Sequence, residues 1–491
     1  MPRNTPRLSK SRFVAGLQCR KRLYLEVHHR ELATEPGPGT QRIFESGHEV
    51  GELAREEFPG GVLIDPPPYE IERALRETEE ALDSGASVIY EPAFIHDNIF
   101  VRVDIFRRND DGTWDLIEVK STTRTTDTHV ADVAVQRYVA EGAGLSVRNS
   151  YVMHLNRDCR YPDLSNVFVL ENVDDRVEEL WPSLRPKVAE FNQLLLQPRV
   201  PEVPIGKHCT SPYDCPLIDH CWRNVKHPSI FTIPRISAKK IDALVSQGVT
   251  GIADVPRDFK LSENQRRYVE LLKSGEQQIL WPAIRDALGS LEYPLYFLDF
   301  ETMAEPIPRL EGLGPYHQYP FQYSLHVLHA DGDVVHREYL HPDASDPRRP
   351  LMESLIRSIG EPGSIVAYNA SFEQRVIRDL ARRFPEHRRN LRSYLPRFFD
   401  LLTIFRDHYF DPQFGGSNSI KHVLPVLVPE LSYATLEVQS GDVAQLAWKQ
   451  MISTADRSKR LELAESLKRY CKLDTLAMVE LYRTIKDRIP A

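Results

Sequence analysis

Three of the chain's six cysteines fall within thirteen residues, in the run HCTSPYDCPLIDHCW, where Cys209, Cys215 and Cys221 are each separated by five residues. Such a group constrains the fold because it ties one short segment to a common task. The N-terminus, MPRNTPRLSKSRFVAGL, is basic but lacks the apolar run of a secretory signal, and no stretch approaches the roughly eighteen apolar residues of a membrane span. A reducing cytoplasm is therefore the expected location. There, crowded thiols point to metal binding or catalysis rather than to disulfides, against the plainer alternative of three unrelated buried thiols. Zinc accepts thiolates, but its usual pair of Cys-x-x-Cys hooks is absent. An iron–sulfur cluster takes four thiolates and tolerates a distant one.

At 491 residues the chain has room for about three domains. With 41% hydrophobic and 27% charged residues it has the composition of an ordinary globular protein. The expected class is multidomain α/β. Residues 1–225 mix amphipathic helical patterns with strands, of which NIFVRVDIFRR and TWDLIEVKSTT alternate apolar and polar residues like two strands of a hairpin. Residues 226–290 read as a helical connector. Its ISAKKIDALVSQGVTGIADVP has a helix–Gly-turn–helix rhythm to which a structural role is assigned. Strand patterns restart at LYFLDF, continue in PFQYSLHVLHA and SIVAYNA, and give way to a long helical C-terminus, so 291–491 reads as a further domain.

The first chemical group lies in the expected hairpin. Asp104 falls in one strand, while Glu118 and Lys120 in the other share a face because strand side chains alternate with period two. Carboxylates and a lysine grouped on one face suit a divalent cation and a lysine that polarises water or steadies a phosphate, although an exposed strand face would read the same way. The motif resembles that of the PD-(D/E)XK nucleases, and of their RecB-like branch in particular. FESGHEVG supplies a histidine upstream and DVAVQRYVAEG a glutamine downstream, in that family's order. The resemblance implies a restriction-endonuclease-like fold, with His48, Asp104 and Glu118 as ligands for Mg²⁺ or Mn²⁺, Lys120 as the catalytic lysine and Gln136 as an accessory residue. The family's tyrosine usually follows the glutamine by four residues, whereas Tyr138 follows by two.

The same branch includes nucleases with an iron–sulfur staple, one cysteine coming from the start of the domain and three from its end. That resemblance implies Cys19, in SKSRFVAGLQCRKRLYL, as the fourth ligand beside Cys209, Cys215 and Cys221, holding a 4Fe–4S cluster that joins the two ends. Better-known members space the last three as Cys-x-x-Cys-x5-Cys, so the even spacing is a departure. Cys159 and Cys471 read as ordinary thiols, with Cys159 the substitute for Cys19.

The second group opens the C-terminal region, where YFLDFET ends an apolar run in Asp299 and Glu301 on one strand face. Downstream, Glu373 follows SIVAYNASF, and YCKLD places Tyr470 and Asp474 one helical turn apart. These motifs resemble those of DEDD 3′–5′ exonucleases of the ribonuclease H-like fold, in the subclass with Tyr-x3-Asp. The resemblance implies that Asp299, Glu301, Glu373 and Asp474 hold two divalent cations while Tyr470 orients the attacking water. Two metals stabilise the incoming and leaving oxygens of a phosphodiester without a covalent nucleophile. The departure is Glu373, where that family has Asp; Asp400, in RFFDLLTIF, is a possible compensating acid or a helix cap.

Taken together, the order of motifs resembles a largely uncharacterised prokaryotic family. It implies a metal-dependent nuclease acting on nucleic acid, DNA before RNA and single strands or ends, with no membrane partner. The alternative is a nucleic-acid-binding or scaffold protein with one or both sites inactive, and a thinner one is a redox-sensing cluster. A net charge of −8 excludes a protein coated in positive potential, yet residues 375–397 carry eight arginines, as either a phosphate-facing run or a solvated helix face.

Overall fold

The computed structural model describes residues 6–360, 362–434 and 436–490. The chain divides into two compact units, Met1–Asn224 with Glu305–His317, and Val225–Ala304 with Gln318–Ala491. Residues 305–317, inside the span read as the C-terminal domain, thus fold with the first unit. The architecture is multidomain α/β with mixed sheets. Among the described residues, no helix is long and apolar enough to cross a membrane.

The first unit contains the helices α1 (Lys10–Gln18), α2 (Arg20–His28), α3 (Pro38–Glu56), α4 (Ile71–Asp83), α5 (Asp127–Gly142), α6 (Asp174–Leu195) and α7 (Ile218–Trp222). Its strands are β1 (Leu8–Ser9), β2 (Val62–Leu63), β3 (Val88–Tyr90), β4 (Ala93–His96), β5 (Ile99–Arg102), β6 (Ile105–Arg108), β7 (Trp114–Lys120), β8 (Val147–Leu155) and β9 (Phe168–Asn172). Six strands form one sheet in the order β2-β3-β6-β7-β8-β9, and β1-β5-β4 form another. The expected strand NIFVRVDIFRR is therefore two strands in two sheets. The break falls at Val103–Asp104, where the Val103 N–H donates to Pro92 O and the Asp104 carbonyl accepts from Glu91 N. The hairpin survives as β6 antiparallel to β7. Strand β7 lies inside the sheet, so Trp114–Glu118 are all buried, as a strand covered on both faces requires. Its Trp114 and Leu116 pack with Val130, Val133 and Ala134 of α5, whereas Ile117 and Val119 face the opposite side. Thr126 and His129 close a capping box that starts α5.

The second unit begins with α8 (Ala238–Val245), α9 (Glu263–Ser274), β10 (Gln278–Ile279) and α10 (Trp281–Gly289), the segment read as the helical connector. Ile230, Ile241, Leu244, Ile252, Val269 and Leu272 give it a small core of its own. It continues with β11 (Leu295–Met303), β12 (Tyr319–Leu328), β13 (Val334–Leu340), α11 (Arg348–Ser358), β14 (Ile365–Ala367), α12 (Ser371–Arg383), α13 (Arg388–Tyr394), β15 (Phe398–Asp400), β16 (Tyr409–Phe410), α14 (Ile420–Leu427), α15 (Gly441–Ser453) and α16 (Arg457–Arg488). Five of these strands make a mixed sheet, β13-β12-β11-β14-β15, antiparallel on the β13 side of β11 and parallel on the other. Sequence reading missed β13, whose burial alternates only loosely at an edge. Period two sorts β11: Tyr296, Leu298 and Phe300 join the core with α11 and α12, while Phe297 meets Tyr482 of α16. Asp299 and Glu301 follow Phe297 onto the α16 face.

Candidate functional site

In the second unit, the α16 face of β11 carries a dense group of acids. Asp299, Glu301 and Cys471 offer ligand atoms that all lie within 4.8 Å of one another, the one such set of three among the described residues. Asp474 stands one position short of a full turn beyond Cys471, and its Oδ1 accepts the Tyr433 hydroxyl at 2.7 Å. Tyr470, buried one helical turn before Asp474, is held above its ordinary range by burial and the nearby Asp474, Glu301 and Asp299. Glu373, from the first turn of α12, is 3% exposed and its Oε2 has no hydrogen-bond partner. Opposite the strand end, a β-carbon added at Gly441, the first residue of α15, would lie 3.6 Å from Glu301 Oε2.

Such crowding has an electrostatic signature. Burial, then repulsion from Asp474, Glu301 and Glu373, holds Asp299 well above the usual carboxylate range, and burial with Asp474 does the same to Glu301. Burial pushes Glu373 up to about 8 and Asp474 up to about 6. The exposed Lys421 opposes this rise at both Glu301 and Asp474. Asp299, Glu301, Glu373 and Asp474 are the residues of this unit that could hold divalent cations. Asp400 Oδ1 accepts the N–H groups of Asn369 (2.9 Å) and Leu402 (3.1 Å), capping the turn after β15, and its charge also acts on Glu373.

The first unit groups its charges differently. Glu118, 1% exposed, accepts Lys10 and Lys120 Nζ on Oε1, each at 2.7 Å, and Gln136 Nε2 on Oε2 at 2.8 Å. Lys120 also reaches Asp132 Oδ2 at 2.7 Å, and Asp104 Oδ2 accepts the Val119 N–H at 2.6 Å. Burial alone would raise the Glu118 carboxyl, but Lys10 and Lys120 hold it far below the usual range. Burial and the neighbouring Glu118 push Asp104 up to about 8. This group is largely charge-balanced within the protein. His48 is exposed on α3, outside the hydrogen-bonded set, and Tyr138 donates instead to Asp97 at the surface.

The four cysteines meet in one place. Cys19 is the extended residue at which α1 ends and α2 begins. It lines a small pocket with Cys209, Cys215, Cys221 and His208. Gln18 ties the two segments, donating to the carbonyls of His208 and Tyr213 at 2.7 Å each. Burial opposes ionisation of Cys19 and Cys209, but hydrogen bonds from His208 and nearby backbone bring both thiols below their ordinary range. Burial raises Cys215, up to about 11, and Cys221. Cys159 lies apart, buried with Val50, Leu155 and Val167 and bonded to Asp163 O, so it does not replace Cys19.

Residues 296–419 match a family model described as Domain of unknown function (DUF2779), a span that contains Asp299, Glu301 and Glu373 and ends before Asp474. Uncharacterized protein MG366 of Mycoplasma genitalium is 26% identical over 225 residues, covering 42% of this chain and 34% of that protein. The chain thus spans about a third of that relative's length. A solved structure, that of SSO0001, aligns over 46% of this chain and 90% of its own, with a TM-score of 0.24 and 12% identity.

Sequence reading missed Lys10, Asp132, Tyr433 and the placement of Cys471. Lys10 and Tyr433 lie 108 and 41 residues from their carboxylate partners, and nothing local marks them. Asp132 carried a signal: it precedes Gln136 by one helical turn, so it shares the face that meets β7. The arginine run is partly committed to structure, since Arg397 donates to the carbonyls of Gly363 and Gly360.

Proposed function

We propose that this protein is a metal-dependent nuclease that hydrolyses phosphodiester bonds of nucleic acid, DNA in the first instance, with an RNase H-like, 3′–5′ exonuclease-type centre in its second unit and a PD-(D/E)XK-type centre in its first. One observation carries the proposal: Asp299 and Glu301 on the α16 face of β11 gather with Cys471 of α16, Asp474 and Glu373 act on both acids by charge repulsion, and the buried Glu373 Oε2 has no hydrogen-bond partner. The mixed five-stranded sheet that presents the first two acids supports the same reading.

Asp299, Glu301, Glu373 and Asp474 would hold Mg²⁺ or Mn²⁺, which polarise the scissile phosphate and its water and stabilise the leaving oxygen. The residues of the chain prepare that setting. Tyr433 fixes Asp474 by a hydrogen bond, and the Tyr470 hydroxyl, kept protonated by burial and neighbouring carboxylates, can donate to and orient a water. Glu373 is one methylene longer than Asp, and its free oxygen supports a reach to the cation rather than a lost ligand. In the first unit Asp104 and Glu118 would be the metal ligands. Lys120, between two carboxylates, is built to remain cationic and to hold a phosphate or a water beside them. His48 of α3 would be the third ligand.

Cys19, Cys209, Cys215 and Cys221 would hold the iron–sulfur cluster, which supplies a covalent tie between the two ends of the first unit.

The test uses 5′-end-labelled single-stranded DNA with Mn²⁺ or Mg²⁺, resolved on a denaturing gel for the wild type, Lys120→Ala, Asp299→Ala and the double variant. The expected result is a 3′-shortening ladder lost in Asp299→Ala and internal cuts lost in Lys120→Ala. No degradation of DNA or RNA by the wild type would overturn the nuclease reading in favour of a binding protein.

A further inference from the structure

The acidic centre of the second unit contains an atom foreign to a pure carboxylate site. Cys471 is fully buried, and its Sγ lies 3.6 Å from Asp299 Oδ2. A buried free cysteine normally behaves as a small apolar side chain, as Cys159 does among Val50, Leu155 and Val167. Cys471 instead faces the acids. Its position on α16, three residues before Asp474 and directly after Tyr470, puts it on the turn that supplies the third motif.

The spacing suits a shared ion. Ligand atoms bound to one cation at about 2.0–2.5 Å lie about 3–4 Å from one another. Asp299, Glu301 and Cys471 offer atoms all within 4.8 Å, which a small closure brings into range. An independent sign comes from α12: the Oε2 of Glu373, 3% exposed, has no hydrogen-bond partner and lies close enough to influence both Asp299 and Glu301. A buried carboxylate oxygen without a partner is a costly arrangement that a bound cation relieves.

We infer that Cys471 is a sulfur ligand of this centre and gives it a preference for borderline divalent cations, Co²⁺ and Zn²⁺, over Mg²⁺. The inference rests on the reading of the acid group as a metal centre. Oxygen-only sites suit Mg²⁺ and Mn²⁺, whereas a thiolate adds affinity selectively for softer ions. As the metal–sulfur bond forms, the thiol proton leaves to solvent, and the Asp299 oxygen that had accepted the S–H becomes free to bind the ion. No oxidant or reductant is involved.

The full chain is titrated anaerobically with Co²⁺ and, separately, with Mg²⁺, as wild type, Cys471→Ser, Cys471→Ala and Asp299→Asn, with circular dichroism to check folding. The four clustered cysteines are common to all four proteins, so the wild type minus Cys471→Ser spectrum isolates this centre. The expected difference is a near-ultraviolet sulfur-to-cobalt charge-transfer band. Co²⁺ affinity should fall roughly tenfold or more in both Cys471 variants, about 1.4 kcal/mol, with Mg²⁺ affinity changing by less than about twofold. Identical Co²⁺ spectra and affinities in wild type and folded Cys471 variants would overturn the sulfur ligand while leaving the metal centre standing. An Asp299→Asn protein that titrates like the wild type with both ions would overturn the metal centre and the inference with it.

Discussion

Glu118→Gln removes a charge without changing shape, at a point where two lysines meet. Lys10 and Lys120 both place Nζ 2.7 Å from Glu118 Oε1, and the carboxylate is 1% exposed. Removing one partner of a buried ion pair costs about 3–5 kcal/mol, because the other charge is left uncompensated. Here Lys120 keeps Asp132 at 2.7 Å and Lys10 is 25% exposed, so both ammoniums find partial relief. A loss of about 2–4 kcal/mol is expected. Because the chain has two units, hydrogen exchange read by mass spectrometry on peptides covering β7 and α5 is the suitable assay. Adding Lys10→Met to Glu118→Gln should recover about 1 kcal/mol or more, since the neighbouring ammonium is then gone. Acid provides a second arm. Glu118 is held below its ordinary value of 4.5, so its pairing stabilises the native state above that pH and is lost as pH falls below it toward the native value. The wild type should therefore lose β7 protection on acidification more steeply than Glu118→Gln. A change of less than about 0.5 kcal/mol in the single variant, with no recovery in the double, would refute this account of the lysine-flanked carboxylate.

The metal-free second unit should lose stability as pH rises. Glu373 and Asp474 titrate at about 8 and about 6, above their ordinary 4.5 and 3.8, so their protonated forms favour the fold at low pH and that support is lost through those values. Thermal unfolding in EDTA should show this decline while Mn²⁺ removes it; parallel curves with and without metal would contradict it. Cys19→Ser should lose iron and thermal stability in the first unit while Cys159→Ser keeps both, by metal analysis and melting; equal behaviour of the two would contradict the staple. Tyr433→Phe deletes the 2.7 Å hydrogen bond to Asp474 and should slow 3′ shortening by roughly tenfold, about 1.4 kcal/mol. An unchanged rate would contradict a positioning role for that hydrogen bond.

The parts of these sites that could be read from the sequence are those set by local periodicity. Glu118 and Lys120 share a face of β7, and Asp299 and Glu301 a face of β11, because strands alternate every two residues. Tyr470 and Asp474 share a face of α16 because four residues make about one turn. What local pattern could not give was contact across long separations. Lys10 and Tyr433 come to their carboxylates through tertiary packing, and Cys471 is aimed at Asp299 by the docking of α16 on β11. The break at Asp104 was hidden for a related reason: the alternation of NIFVRVDIFRR runs unbroken through a residue where the chain changes sheets. The joining of residues 305–317 to the first unit has no periodic signature at all.

The most direct measurement of the central claim is hydrolysis of single-stranded DNA in oxygen-18 water with Mn²⁺, with the released products weighed by mass spectrometry. The account predicts nucleoside 5′-monophosphates carrying oxygen-18 in the phosphate from the wild type and none from Asp299→Asn. Intact DNA in both, or mononucleotides released equally by Asp299→Asn, would contradict it.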